Sequence, residues 1–180
     1  MAKLTLREAT RADARAIAEI HVAAWRAAYR DLMPQSYLES LSIDERARMW
    51  EKTIVSAGPA QLALAEFDGE LAGFCLYGPT RDREGADVAE IYAVNVHPAR
   101  WRQGAGRLLC AHALREAAVR EHTVMTLWVI SGNGRARRFY QRLGFATDGA
   151  ARINTQLVGS PFDEVRYRRA IGTDPIFLIG

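Results

Sequence analysis

Two short stretches hold most of the chemistry this chain can do. In "HPARWRQGAGRLL", His97 to Leu109, an apolar stretch gives way to a helical pattern through two glycines. Unpaired N–H groups at a helix start, together with the helix dipole, attract anions. Gly104 and Gly106 let the backbone approach phosphate oxygens without a Cβ in the way, and Arg100, Arg102 and Arg107 can add charge-assisted bonds. The stretch suits a phosphate or diphosphate, yet the same glycines would equally serve close packing of a helix on a sheet. It is not a Walker loop, since no Gly-Lys-Ser/Thr follows, and Leu109 stands where a dinucleotide fingerprint has its third small residue.

The second stretch is "VMTLWVISGNGRARRFYQRLGF". Asn133 is a natural N-cap for a helix beginning at Gly134. Ala136, Phe139, Tyr140 and Leu143 share one face of that helix, so Tyr140 turns toward the interior with a hydroxyl that needs a partner. Upstream, "VAEIYAVNV" reads as a strand, and a period of two puts Glu90 on one face with Tyr92, Val94 and Val96. Glu90 is a carboxylate that could accept a proton, or an ordinary ion-paired strand residue. His97, at the strand's end before Pro98, reads as a turn residue.

These residues need a scaffold. "KLTLREA" alternates as a first strand, and "TRADARAIAEIHVAAWRAAY" is helical, with Thr10 as N-cap and Ile17, Ile20, Ala24 and Ala28 on one buried stripe. A second helical region runs from about Gln35 to Ser56, broken near Leu41–Ser42. "LALAEFDGELAGFCLYG" is a hairpin turning at Asp68-Gly69. "RQGAGRLLCAHALREAAVREH" is a helix with Gly106, Leu109, Cys110, Ala113, Leu114 and Ala117 on its buried face, and His112, Glu116 and Arg120 opposite. "VMTLWVI" is a strand, Gly144 closes the last helix, and two strands follow. The order predicts a mixed sheet covered by helices rather than a regular βαβ alternation. The closing "GTDPIFLIG" is a docked tail or an interface segment.

"EIYAVNVHPARWRQGAGRLL" followed downstream by "NGRARRFYQRLGF" resembles the GNAT superfamily of acetyl-CoA-dependent N-acyltransferases, and the element order matches along the whole chain. The resemblance implies an α+β (mixed α/β) fold, with a mostly antiparallel sheet of about seven strands and about four helices. It implies residues 1–172 as one N-acetyltransferase domain and 173–180 as a tail. Backbone groups of Val94 and Val96, with Asn95 between them, would bond the pantetheine arm of acetyl-CoA as if it were an extra strand. Amides of Arg102, Gln103, Gly104, Ala105, Gly106 and Arg107 would hold the diphosphate, with Asn133 near the pantetheine or thioester end and Arg135 and Ala136 also binding the cofactor. Tyr140 would be the general acid toward the leaving sulfur and Glu90, through water, the general base. The acceptor would be a small-molecule or peptide primary amine, with Tyr29 and Tyr37 near it. The family usually has Gln or Arg three residues before the first glycine, where this chain has Trp101.

The composition narrows the alternatives. Cys75 and Cys110 are the only cysteines, and the four histidines show no ligand spacing, so neither a disulfide scaffold nor a metal is expected. The net charge of +3 comes from arginines interspersed with acids, which argues against a nucleic-acid stripe. No apolar run reaches the roughly 18 residues of a membrane span, and no secretory leader is evident. A cytoplasmic enzyme, possible as a homodimer, is expected. The competing reading is an acyl-CoA-binding sensor or scaffold of the same fold without turnover.

Overall fold

The structure, a computed structural model, describes residues 3–56, 58–155 and 161–172. Strand β1 (Leu4–Glu8) leads to Thr10, whose amide and hydroxyl both donate to Asp13 Oδ2 at 2.7 and 2.8 Å. That contact holds a 3-10 turn, Arg11–Asp13, ahead of α1 (Ala14–Ala28). Ile17, Ile20 and Ala24 are buried on one side of α1, while Ala28 on the same stripe is only half-buried. After Pro34 come α2 (Gln35–Ser40) and α3 (Ile43–Val55). They part at Leu41–Ser42, where the Ser42 hydroxyl caps α3 by accepting from the Glu45 amide at 3.3 Å. Counting the short α2, the described residues hold five α-helices rather than about four.

Strands β2 (Gln61–Phe67) and β3 (Glu70–Pro79) form the expected hairpin. Asp68 (φ 50°) and Gly69 (φ 83°) both take the left-handed conformation that a two-residue turn of matching twist requires. Then follow β4 (Val88–Val96), α4 (Ala105–Val119), β5 (Val124–Ile130), α5 (Gly134–Arg142), β6 (Ala146–Asn154) and β7 (Phe162–Ala170). The sheet runs β1-β2-β3-β4-β5-β7-β6, antiparallel throughout except for β4 beside β5. On one face α1 and α3 bury Leu64 and Phe74; on the other α4 and α5 cover Ala65, Cys75, Ile91, Met125 and Leu127. His112 is not on a solvent face of α4: it is half-buried, with Nε2 3.3 Å from the Tyr77 hydroxyl. The tail 173–180 lies outside the described residues.

Two irregularities shape the site. The register of β3 and β4 shifts so that Leu76 opposes Ala93 while Tyr77 opposes Ile91, leaving Tyr92 as the extra residue of a bulge. One inserted residue reverses every later side chain. Ile91, Val94 and Val96 therefore pack on the α4 side, and Ala93 packs with α1 and α3. Glu90, opposite Gly78, lies on the α1 and α3 side. The expected common face for Glu90, Val94 and Val96 is thus overturned by the bulge. The second irregularity is a gap: β4 pairs with β5 only from Val88↔Val124 to Ile91↔Leu127. Beyond Ile91 the two strands separate.

Candidate functional site

The gap between β4 and β5 exposes backbone groups. The His97 amide donates to Ala72 O at 2.8 Å, so in the antiparallel ladder with β3 the residues whose peptide groups face β3 are His97 and Asn95. Val94 and Val96 then turn their N–H and C=O groups the other way, into the gap. Asn95 departs from expectation, because its peptide groups serve the β3 ladder.

The link from β4 to α4 opens with a bonded turn and then presents free donors. His97 Nδ1 accepts from the Ala99 amide at 3.3 Å, capping a 3-10 turn at Pro98–Arg100, which is the turn role read for it. Arg102 (φ 63°) and Gly104 (φ 95°) are both left-handed, and successive amides in such a turn point into one concavity. Leu108, bonding Gly104 O at 2.9 Å, is the first amide that α4 returns to its ladder. Among the described residues, the amides from Arg102 to Arg107 have no partner. The two glycines do different work. Gly104 permits the left-handed turn, and a Cβ there would meet nothing closer than Leu4 Cδ2 at 3.7 Å. A Cβ on Gly106 would come within 3.2 Å of Phe139 Cζ, so this glycine lets α5 pack against α4. The site residues Arg102, Gln103 and Arg107 are exposed and Ala105 is buried, whereas Arg100 is bonded to Glu70 at 2.8 Å and leaves the loop.

Across the gap, Asn133 is buried and caps α5 by accepting from the Ala136 amide at 3.0 Å. Its side chain also lies beside the hydroxyl of Tyr29, whose pKa is pushed up to about 12 by burial and by nearby Glu164. Tyr140, on the following turn of α5, packs edge-on against Phe139 and Phe145. Burial holds its hydroxyl pKa well above the ordinary value, with Cys110 and Cys75 adding to the effect. Tyr140 therefore keeps its proton at neutral pH and can donate.

Glu90 lies on the opposite face, 1% exposed. Oε2 accepts from the Arg81 amide at 2.9 Å, and the Arg81 guanidinium covers both oxygens. Taking a lone carboxylate out of water costs several kcal/mol, so this pairing is what makes the position tenable. Arg81 also lies over the Tyr92 ring, 4.4 Å from its centroid. Beside this pair, Trp128 donates to Asp82 Oδ2 at 3.1 Å, and Arg166 bonds Asp82 and Asp148 at 3.1 and 2.8 Å. The link between β3 and β4 is thereby tied to β5, β6 and β7.

Tyr29 and Tyr37 both pack on the cluster of Val22, Met33, Leu38 and Leu41, together with Trp25, Ile130 and Phe162. The Tyr37 hydroxyl is buried without a hydrogen-bond partner among the described residues. Sequence reasoning missed Arg81, which sits in a loop of alternating charge with no pattern to single it out. It also missed Arg135's partner: the guanidinium stacks on Trp101, 3.5 Å from the ring centroid.

The family model described as Acetyltransferase (GNAT) family matches residues 15–145. An uncharacterized N-acetyltransferase, YuaI, of Bacillus subtilis is 34% identical over 90% of this chain and 90% of its own. An L-methionine sulfoximine/L-methionine sulfone acetyltransferase of Salmonella typhimurium is 28% identical over 79% of this chain and 80% of its own. Among solved structures, that of YncA, a putative acetyltransferase of Salmonella typhimurium with its cofactor acetyl-CoA, superposes with a TM-score of 0.68 at 24% identity, covering 96% of each chain.

Proposed function

Because this chain belongs to the GNAT acetyltransferase family and is an acetyl-CoA-dependent N-acetyltransferase, we propose that it passes the acetyl group directly to a primary amine at the gap between β4 and β5. One observation carries this reading. The peptide groups of Val94 and Val96 turn into the gap, and past a hydrogen-bonded turn at His97–Trp101 the free amides of Arg102 to Arg107 follow. A free strand edge followed by a turn of free amides suits an extended amide-bearing arm ending in a diphosphate. Bound there, acetyl-CoA supplies the activated acetyl group as a thioester. Val94 and Val96 bond the arm, while Gln103, Gly104, Ala105 and Gly106 amides hold the diphosphate beside exposed Arg102 and Arg107. Asn133, Arg135 and Ala136 border the arm from the α5 side.

The bulge at Tyr92 divides the labour between two faces. The carrier approaches on the α4 side, and the amine meets Glu90 from the α1 and α3 side. An alkylammonium, with a pKa near 10, must lose its proton before it can attack. Glu90 takes that proton through water, with Arg81 holding the carboxylate in place. A strand amide such as that of Val96 polarises the carbonyl. Tyr140 donates from its hydroxyl to the departing sulfur. The aromatic corner of Trp25, Tyr29 and Tyr37 receives the body of the acceptor, and its apolar lining suits an α-amino acid with an unbranched or aromatic side chain. The relative that acts on methionine sulfoximine and sulfone supports that class.

The test is thermal stability with and without acetyl-CoA, followed by thiol release over a panel of amino acids, polyamines and peptides. Stabilisation together with thiol release on apolar amino acids is the expected result. Stabilisation without release on any amine would replace the enzyme reading of this site with that of an acyl-CoA sensor. With an active acceptor in hand, Glu90→Gln should lower kcat, and an unchanged kcat would remove Glu90 as the base.

A further inference from the structure

Trp101 comes from the β4–α4 link and Arg135 from the first turn of α5, the two borders of the gap at its open end. Their side chains meet across it, with the Arg135 guanidinium carbon 3.5 Å from the Trp101 ring centroid. The indole is fixed at its other edge as well, since Nε1 donates to Val96 O at 2.8 Å. That carbonyl is one of the groups turned into the gap. The left-handed backbone of Arg102, an uncommon conformation for a side-chain-bearing residue, reverses the chain just after Trp101. Arg135 remains exposed to solvent as it covers the ring, and partial desolvation lowers its pKa.

We infer that Trp101 and Arg135 form a clasp across the mouth of the coenzyme cleft, one that opens to admit acetyl-CoA and to release coenzyme A. The inference rests on the proposed placement of the carrier in this gap. The indole N–H takes up one side of Val96 O and the stack bridges the mouth, so a pantetheine arm enters the gap only once the two side chains part. Binding then waits on a minor open form, and the apparent association rate is reduced by the fraction of molecules that are open. Trp101 is accordingly a positioning residue. It holds the free strand end in its ligand-ready shape and keeps the two borders at a fixed separation.

The experiment measures association and dissociation of coenzyme A with the full chain by stopped flow, for wild type, Trp101→Ala, Trp101→Phe and Arg135→Gln. A stack and one hydrogen bond together hold an open fraction of roughly a tenth or less, so Trp101→Ala, which removes both, should speed association about tenfold, and Arg135→Gln, which removes only the stack, roughly threefold. Dissociation should also quicken, so affinity changes less than either rate. Trp101→Phe keeps the ring and loses only the N–H, which gives an intermediate association rate and guards against a folding defect in the alanine variant. Faster dissociation with association unchanged would make both residues ordinary contacts and overturn the clasp. Rates identical to wild type in all three variants would overturn it too. Failure of wild type itself to bind coenzyme A would overturn the placement of the carrier, an outcome distinct from a failed clasp.

Discussion

The side chain of Asn133 lies beside the Tyr29 hydroxyl and interacts with it, linking the end of α1 to the N-cap of α5. Tyr29 belongs to the proposed acceptor corner, and Asn133 caps the helix that carries Tyr140. One polar contact therefore couples the proposed acceptor corner to the helix of the proposed general acid. Replacing Asn133 with Ala removes both the cap and the tie. A lost cap costs about 1 kcal/mol, and buried Tyr29 loses its partner as well, so a total of about 1–3 kcal/mol is expected in urea unfolding. Turnover should fall together with stability. Asn133→Asp keeps the cap and should recover most of the stability, and equal losses in both variants would contradict the capping role.

Tyr140 keeps its proton because burial raises its pKa well above the usual value. Its contribution is made where sulfur gains charge, so Tyr140→Phe should lower kcat by on the order of 10²-fold. The KM for acetyl-CoA should move little, since the hydroxyl is not needed to hold the ground state. Because the folded-state pKa lies above the working range, Tyr140 adds no alkaline limb to the rate profile near neutrality. Steady-state kinetics of the variant decides this, and an unaltered kcat would take Tyr140 out of the chemistry.

Gly104 and Gly106 separate binding from packing. An alanine at Gly104 must adopt φ near 95°, which costs about 1–2 kcal/mol and distorts the amides around it. An alanine at Gly106 meets the Phe139 ring at 3.2 Å, and the strain falls on the α4–α5 contact. Gly104→Ala should raise the KM for acetyl-CoA more than it lowers Tm, and Gly106→Ala should do the reverse. Parallel effects in the two variants would show that the glycines share one role.

Much of this site could be read from the chain because local rules governed it. The strand Val88–Val96, the turn at Asp68-Gly69 and the cap at Asn133 follow from alternation, left-handed preference and side-chain capping, and each was legible. The face of Glu90 was not. A bulge is one residue inserted against a partner strand, and the partner's register is invisible in the strand's own sequence. Arg81 escaped for a similar reason, as its importance comes from a carboxylate nine residues away that folding brings to 2.9 Å from its amide. Trp101 was visible as a departure from the family pattern. Its partner Arg135 was not, because a stack between two links is set by how two helices dock.

His21 supplies a pH signature independent of catalysis. It is buried beneath α3, accepts from Trp50 Nε1 at 3.1 Å through Nδ1, and is surrounded by the rings of Trp25, Trp50 and Phe74. Burial, aided by nearby Arg46, lowers its pKa to about 3. In the unfolded chain the same group titrates near 6.5. Between these values the unfolded chain takes up a proton that the folded one refuses, so stability falls as pH drops below about 6.5, by about 1.4 kcal/mol per pH unit. Asp13 acts lower. The Arg7 guanidinium holds its carboxyl below the usual range, so its contribution is present above about pH 4 and fades beneath that. In the interval from pH 6.5 to 4.5 Asp13 stays ionised, and comparison with His21→Gln separates His21 from His112, whose pKa burial also lowers. Over that interval wild type should lose about 2–3 kcal/mol more than His21→Gln, which offers Trp50 an acceptor without a titrating ring. Urea unfolding at each pH measures both curves, and parallel curves would mean that His21 titrates normally in the folded protein.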